Sequence, residues 1–409
     1  MKGSSVQRAT LVIMTVLLLV VGSFGATVSS KRVSKSKSQI TEKPSTRKKL
    51  SASSHSRPVA RRVAGKRRAK RVRRRYSERF TASSFASNQT IGDITTGEDP
   101  VVRQAAIDAL GDMNGTVVAI DPSSGRVLAM VNQKLALSEG AQPCSTIKIS
   151  VALAALSEGI VTKDTKVNLG GWRMDMNQAL AHSNNQYFEA LGRKLGFEKV
   201  SYYAHQFGLG ELAGWSIAGE HLGEYPVEPI PAKLGGVGKM CSFGEGISMT
   251  PLQLGALVSA IANGGTLYYL QHPTTSEEIA NYQPKVKRYL DIAPLIPEVS
   301  VGMLGATQFG TARSLRANFF QEDVLGKTGT CSKDGTRFGW FASYANTQYG
   351  RIVTVFFLEG GRPTFGPKAA ELAGKFYRSL YDGNYFAARP NPATAMQSNG
   401  TSNAVGATQ

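Results

Sequence analysis

Positive charge in this chain is gathered into one stretch. Between Lys31 and Arg75 stand 19 Lys and Arg against a single acid, Glu42, while the whole 409-residue chain has a formal net charge of +19. Residues 76 to 409 are therefore nearly neutral, and a folded core has to be sought there. A segment of Ser, Lys and Arg with few large apolar side chains cannot bury enough surface to offset its ordering entropy. Residues 29–90 accordingly read as a disordered polybasic tether. Its partners by charge are anionic lipid head groups or acidic polymers, or it is a solvated spacer with none. No nucleic-acid partner is expected, because no aromatic side chains are interleaved with the basic ones and no reading module is present. Ahead of it, Lys2 and Arg8 precede an apolar run from Ala9 to Ala26. That pattern makes residues 1–28 a signal anchor or a signal peptide.

The remainder alternates between strand and helix patterns. "GTVVAIDPSSGRVLAMV", from Gly115 to Val131, is two apolar runs joined by Pro122 to Gly125, a hairpin signal. From Ser145 "STIKISVALAALSEG" takes helical spacing and stops at Gly159, and the middle of the chain to about Gly265 is mostly helical in pattern. "EDVLGKTGTC", "RFGWFASYA" and "RIVTVFFLEG" read as three consecutive antiparallel strands, followed by a helix over about Pro367 to Leu380. Strands at both ends with helices between predict an α+β fold: an antiparallel sheet packed between helices, with an all-helical subdomain. The expected domain covers residues 91–387, and residues 388–409 read as a disordered tail.

Three short motifs carry the chemistry. Ser145 precedes Lys148 at the start of the helix after Pro143; "SNN" occupies Ser183 to Asn185; "KTGT" occupies Lys327 to Thr330. Serine-x-x-lysine alone says little, since Ser34 with Lys37 and Ser45 with Lys48 repeat the spacing inside the tether. On a helix, residues three apart share a face, so Lys148 can reach the Ser145 hydroxyl. Serine is a poor nucleophile until an adjacent base takes its proton. Lys148 can be that base only when neutral, and burial with a second cation nearby, Lys327, would depress its pKa accordingly. Taken singly the residues have plainer roles: Ser183 a helix cap, Asn185 a turn former, Lys327 a solvated strand end.

In this order the motifs resemble those of the penicillin-binding protein transpeptidases, which share a catalytic domain with serine β-lactamases. The likeness continues through "CSFGEGISMTPLQLGALVSAIANGG" and "GTARSLRANFFQEDVLGKTGT" and covers roughly residues 100 to 385. It implies a β-lactamase/transpeptidase-like fold and a peptidoglycan D,D-transpeptidase that forms a serine acyl-enzyme on D-Ala-D-Ala stem peptides, with β-lactams as inhibitors. Ser145, Lys148 and Ser183 would be catalytic, Ser183 relaying a proton to the leaving amine. Asn185, Lys327, Thr328, Gly329 and Thr330 would bind substrate, Lys327 with the Thr328 and Thr330 hydroxyls holding the terminal carboxylate. The backbone N–H groups of Ser145 and Thr330 would form the oxyanion hole, and Gly329 would let backbone approach closely. A disulfide between Cys144 and Cys331 matches the place of one in some class A β-lactamases, leaving Cys241 free and buried; three small core thiols are the alternative. His182 and Trp340 are expected to pack, and neither metal nor cofactor is expected.

The resemblance places the domain outside a bacterial cell membrane, in the periplasm or at the cell exterior, although the basic tether opposes export by the positive-inside rule. Membrane attachment through the N-terminal segment and a separate glycosyltransferase are the expected partners. Rival activities are D,D-carboxypeptidation, β-lactam hydrolysis and a non-catalytic cell-wall or divisome scaffold. Hydrolysis is disfavoured because no glutamate-x-x-leucine-asparagine pattern stands between Asn185 and Lys327, and Glu245 matches a structural segment.

Overall fold

The computed structural model describes residues 79–347 and 350–387. The expected signal segment over 1–28, residues 29–78 of the expected tether, and the expected tail over 388–409 lie outside the described residues. Among the described residues no helix is long and apolar enough to cross a membrane.

Five strands form one antiparallel sheet: β1 (Gly115–Asp121), β2 (Arg126–Val131), β3 (Asp323–Lys333), β4 (Thr336–Thr347) and β5 (Gly350–Gly360), in the spatial order β2-β1-β5-β4-β3. The hairpin from the front of the domain therefore docks on the last strand, closing the sheet from segments more than 200 residues apart. Side chains alternate across each strand, and here both faces are covered. Val118, Ile120, Val353, Val355 and Phe357 enter one core, and Val117, Ala119, Ile352, Phe356 and Leu358 the other. Double burial is why these strands read as unbroken apolar runs instead of alternating ones.

The second core is covered by α1 (Pro100–Leu110) and, from the other end of the chain, by Gly366–Asp382. On the first core lie α2 (Lys148–Ser157), α3 (Met176–Ala181), α4 (Asn185–Gln206), α5 (Gly236–Phe243), α6 (Pro251–Ala262) and α7 (Ile296–Gln308). The C-terminal helix, Gly366–Asp382, is α8. Helices α2 and α6 are apolar on all sides and almost wholly buried, as such helices must be. Asp99 caps α1, Asp175 caps α3, and Thr250 with Gln253 forms a capping box on α6.

One boundary differs from expectation. Residues 79–90, read as the end of the tether, include a segment packed on the sheet: Thr81 N donates to Gly335 O at 2.9 Å and Ala86 N to Asp112 O at 3.0 Å. Ser84 is buried, its hydroxyl accepting from Gly361 N at 2.7 Å. A Cβ on Gly360 would stand 2.4 Å from the Ser84 Cα, so the small residues here let two backbones touch. Low hydrophobicity hid this contact, which is made by backbone and hydroxyls.

Candidate active site

Ser145 lies in a single 3₁₀ turn, Cys144–Ile147, that leads directly into α2. The expected helix start is thus a tighter turn, in which residues three apart nearly eclipse. The result is a Lys148 Nζ to Ser145 Oγ distance of 2.6 Å. The segment "SNN" joins α3 to α4. Asn184, rather than Ser183, caps α4, accepting from Tyr187 N at 2.9 Å. Ser183 takes a left-handed φ of 55°, and Cys144 one of 51°. Such conformations cost about 1–3 kcal/mol each in non-glycine residues and concentrate where geometry is functionally imposed.

Lys148 is fully buried and has three hydrogen-bond partners: Ser145 Oγ, Asn185 Oδ1 at 2.9 Å and Ser242 O at 2.6 Å. Two of them can only accept. A neutral amine has two N–H groups and one lone pair, so donation to Asn185 and Ser242 turns the lone pair toward the serine hydroxyl. The rings of Phe188 and Phe243 stand 5.7 and 5.8 Å from Nζ. Burial, and after it the charge of Lys327, hold the Lys148 pKa well below 10.5.

Lys327 sits on β3, equally buried, and donates to Ser183 Oγ at 2.8 Å and Thr328 O at 2.9 Å. Burial brings its pKa down to about 7. Gly329 faces the nucleophile's turn, where a Cβ would lie 2.8 Å from Pro143 O and 3.2 Å from Thr146 Cγ2. The close approach expected at Gly329 is thus made by the turn itself. Next along the same face, Cys331 is joined to Cys144 by a disulfide with a Cα–Cα distance of 5.6 Å. Cys241 is free and buried, with its thiol pushed up to about 12 by burial.

The alternation of β3 sends Thr328 and Thr330 to the other face from Lys327. Thr328 Oγ1 pairs with Thr311 Oγ1 at 2.7 Å, and Thr330 Oγ1 accepts from Gly366 N, at the start of α8, at 2.8 Å. Two hydrogen-bonded groups thus make up the site, Lys148 with Ser145 and Asn185, and Lys327 with Ser183, close enough for the charge of Lys327 to act on Lys148, with the two threonines on the opposite face of the strand that carries Lys327. His182 packs near Phe309 at a centroid distance of 5.6 Å, and Trp340 is buried, stacked on Phe357 at 4.0 Å. Two participants were not singled out from sequence. Ser242 acts through its carbonyl, which leaves no trace in residue type. Thr311 ties "GTARS" to the "KTGT" strand through Thr328 and to the end of α3, its N–H donating to Ala181 O at 3.0 Å; a hydroxyl after Gly310 was the available signal. Among the described residues no cluster of His, Cys, Asp or Glu could hold a metal ion.

An antiparallel sheet between helical layers, with these three motifs at the edge strand, defines the transpeptidase domain of penicillin-binding proteins. The family model for that domain matches residues 115–378, and the chain belongs to this family. Stage V sporulation protein D of Bacillus subtilis is 28% identical over 260 residues, 53% of this chain and 39% of that protein. Peptidoglycan D,D-transpeptidase PbpA of Mycobacterium tuberculosis is 24% identical over 386 residues, 76% of each chain. MrdA of Acinetobacter baumannii, also named a peptidoglycan D,D-transpeptidase, is 24% identical over 357 residues, and the chain spans 52% of its length. The D,D-transpeptidase domain of an Eggerthella lenta peptidoglycan glycosyltransferase shares the fold, with a TM-score of 0.55 at 20% identity over 70% of this chain and 82% of that one.

Proposed function

We propose that this protein is a peptidoglycan D,D-transpeptidase working through an acyl-enzyme on Ser145, and that β-lactams inhibit it by acylating the same hydroxyl. The observation that carries the reading is the buried Lys148 amine, held by Asn185 Oδ1 and Ser242 O at 2.6 Å from Ser145 Oγ; in its neutral form those two acceptors take its N–H groups and its lone pair is left for the serine hydroxyl. Lys148 removes the hydroxyl proton as Oγ attacks the carbonyl of the penultimate D-alanine. The oxyanion falls to the backbone N–H groups of Ser145 and Thr330. Ser183 accepts from Lys327 and gives its own O–H proton to the departing D-alanine nitrogen, its hydroxyl being restored by the proton that Lys148 took from Ser145, which returns Lys148 to its neutral form. Lys327 presents positive charge to the terminal carboxylate. Asn185, with Oδ1 engaged by Lys148, keeps its N–H₂ for the donor peptide. Strand β3 is the sheet edge, so its outer backbone groups can pair with an extended stem peptide. An acceptor amine then takes the acyl group.

Among the described residues no carboxylate hydrogen-bonds Ser145 or Lys148, which favours an acyl-enzyme that waits for an amine over rapid hydrolysis. The N-terminal apolar segment would export and anchor the domain outside the cell membrane, beside a separate glycosyltransferase. Fluorescent penicillin tests the acyl-enzyme: wild type should label covalently and Ser145→Ala should not. A pentapeptide donor with an amine acceptor should then yield the cross-linked mass. An unlabelled wild type would remove the proposal, and free tetrapeptide as the sole product would make the enzyme a carboxypeptidase.

A further inference from the structure

A pocket at the opposite edge of the sheet from β3 has the make-up of a sugar site. Leu270 bridges to Gly214 and Gln271 to Arg126, extending the sheet beyond β2. Strands lie about 4.8 Å apart, so this edge is on the order of 20 Å from Lys327. The pocket measures about 460 Å³ and is lined by Trp215. Trp215 is held on three sides. Its backbone N–H donates to Leu270 O at 2.7 Å, Tyr269 meets its ring edge-on at 5.3 Å, and Lys285 Nζ lies 4.7 Å from its centroid. It still exposes 48% of its surface.

The rest of the lining is polar. Glu277, Asn281 and Gln283 line the pocket, and their side chains make no hydrogen bond to the protein among the described residues. Gln271 lies alongside, its Nε2 donating to Gln283 O at 2.9 Å. Apolar side chains other than the aromatic ones are scarce, which disfavours an apolar peptide. Glu277 and Glu278 disfavour a polyanion. A flat, fixed indole beside uncommitted amides and a carboxylate fits a neutral ring that is apolar on its C–H face and hydroxylated around its rim.

We propose that this pocket binds the N-acetylhexosamine glycan of peptidoglycan, one ring stacking on Trp215 and its hydroxyl and acetamido groups reaching Glu277, Asn281 and Gln283. The choice of this glycan rests on the transpeptidase reading, since a stem peptide in the active site arrives attached to such a strand. The pocket would hold the polymer while the distant serine works on its peptide.

The full-length protein in detergent, titrated with the β-1,4-linked N-acetylglucosamine tetramer by calorimetry, should bind with Kd between about 10 μM and 1 mM. Trp215→Ala should weaken binding at least tenfold, and Asn281→Ala by a smaller factor. Penicillin labelling of Ser145 should be unchanged in both, which shows that the variants fold. No binding by wild type at about ten times the upper limit of that range, or equal binding by Trp215→Ala, overturns the proposal. Loss of penicillin labelling in wild type would instead strike the transpeptidase reading, so the two failures are separable.

Discussion

Two buried amines, Lys148 and Lys327, have opposite duties in this site, so pH should act on them in opposite senses. Lys148 must be neutral to accept the Ser145 proton, and its lowered pKa makes that form accessible. Lys327 must be charged to attract a carboxylate, and it loses its proton at about 7. The second-order rate of acylation by a penicillin should therefore rise as Lys148 deprotonates and fall on an alkaline limb near pH 7. Since kcat/KM-type constants report the free enzyme, stopped-flow acylation across pH 5 to 9 reads these limbs directly. Lys148→Arg keeps a cation that cannot deprotonate and should slow acylation by about 10²–10⁴-fold, with Lys327 still in place. At this scale the sequence was informative where chemistry resides in side-chain type, as at Ser145, Lys148 and Lys327. It was silent on the Ser242 carbonyl, and although strand alternation already sets Thr328 and Thr330 opposite Lys327, it could not say that their hydroxyls meet Thr311 and Gly366.

The element that assembles the site is β3, whose one face brings Lys327 to Ser183, Gly329 to Pro143, and Cys331 to Cys144. Pattern alone identified β3, β4, β5 and the β1–β2 hairpin, because these segments are apolar or alternating runs bounded by turns, β3 being the least apolar of them. It did not separate the 3₁₀ turn at Cys144–Ile147 from α2, because both present the same residues to the core. Gly329→Ala should push the turn from the strand, since the added Cβ meets a backbone oxygen that cannot swing aside. Penicillin acylation should fall about 10²-fold, as expected for a nucleophile misplaced by a fraction of an ångström to an ångström, while far-ultraviolet circular dichroism stays unchanged. The disulfide acts on the same junction and closes a separation of 187 residues. On chain-entropy grounds its reduction should cost about 2–5 kcal/mol. Thermal melts with and without dithiothreitol should differ by several degrees, and Cys331→Ala should reproduce the reduced melt.

Over the whole molecule, the buried lysines make stability depend on pH in an uncommon direction. Lys327 binds a proton below about 7 when folded but below about 10.5 when unfolded. Between those values the unfolded chain holds more protons, so stability rises with pH. The penalty of burying this cation is greatest below pH 7 and disappears through 10.5, and Lys148 adds to it with the same sign. Other buried groups work against this trend at higher pH. Burial raises Tyr377 to about 12, pushes Tyr187 and Tyr225 upward as well, and raises the Cys241 thiol to about 12. Their protons are kept by the fold and released on unfolding, so they stabilise below their unfolded pKa values and lose that effect as pH rises toward 12. The melting temperature should thus climb from pH 7, turn over near pH 9 to 10, and fall beyond. Lys327→Met tests the assignment, since it removes the buried amine and leaves the tyrosines. It should raise the melting temperature at pH 7 and flatten the climb between pH 7 and 9, keep the alkaline fall, and abolish penicillin labelling. A climb of the same slope in Lys327→Met would mean that groups other than Lys327 set the stability of the fold in this range.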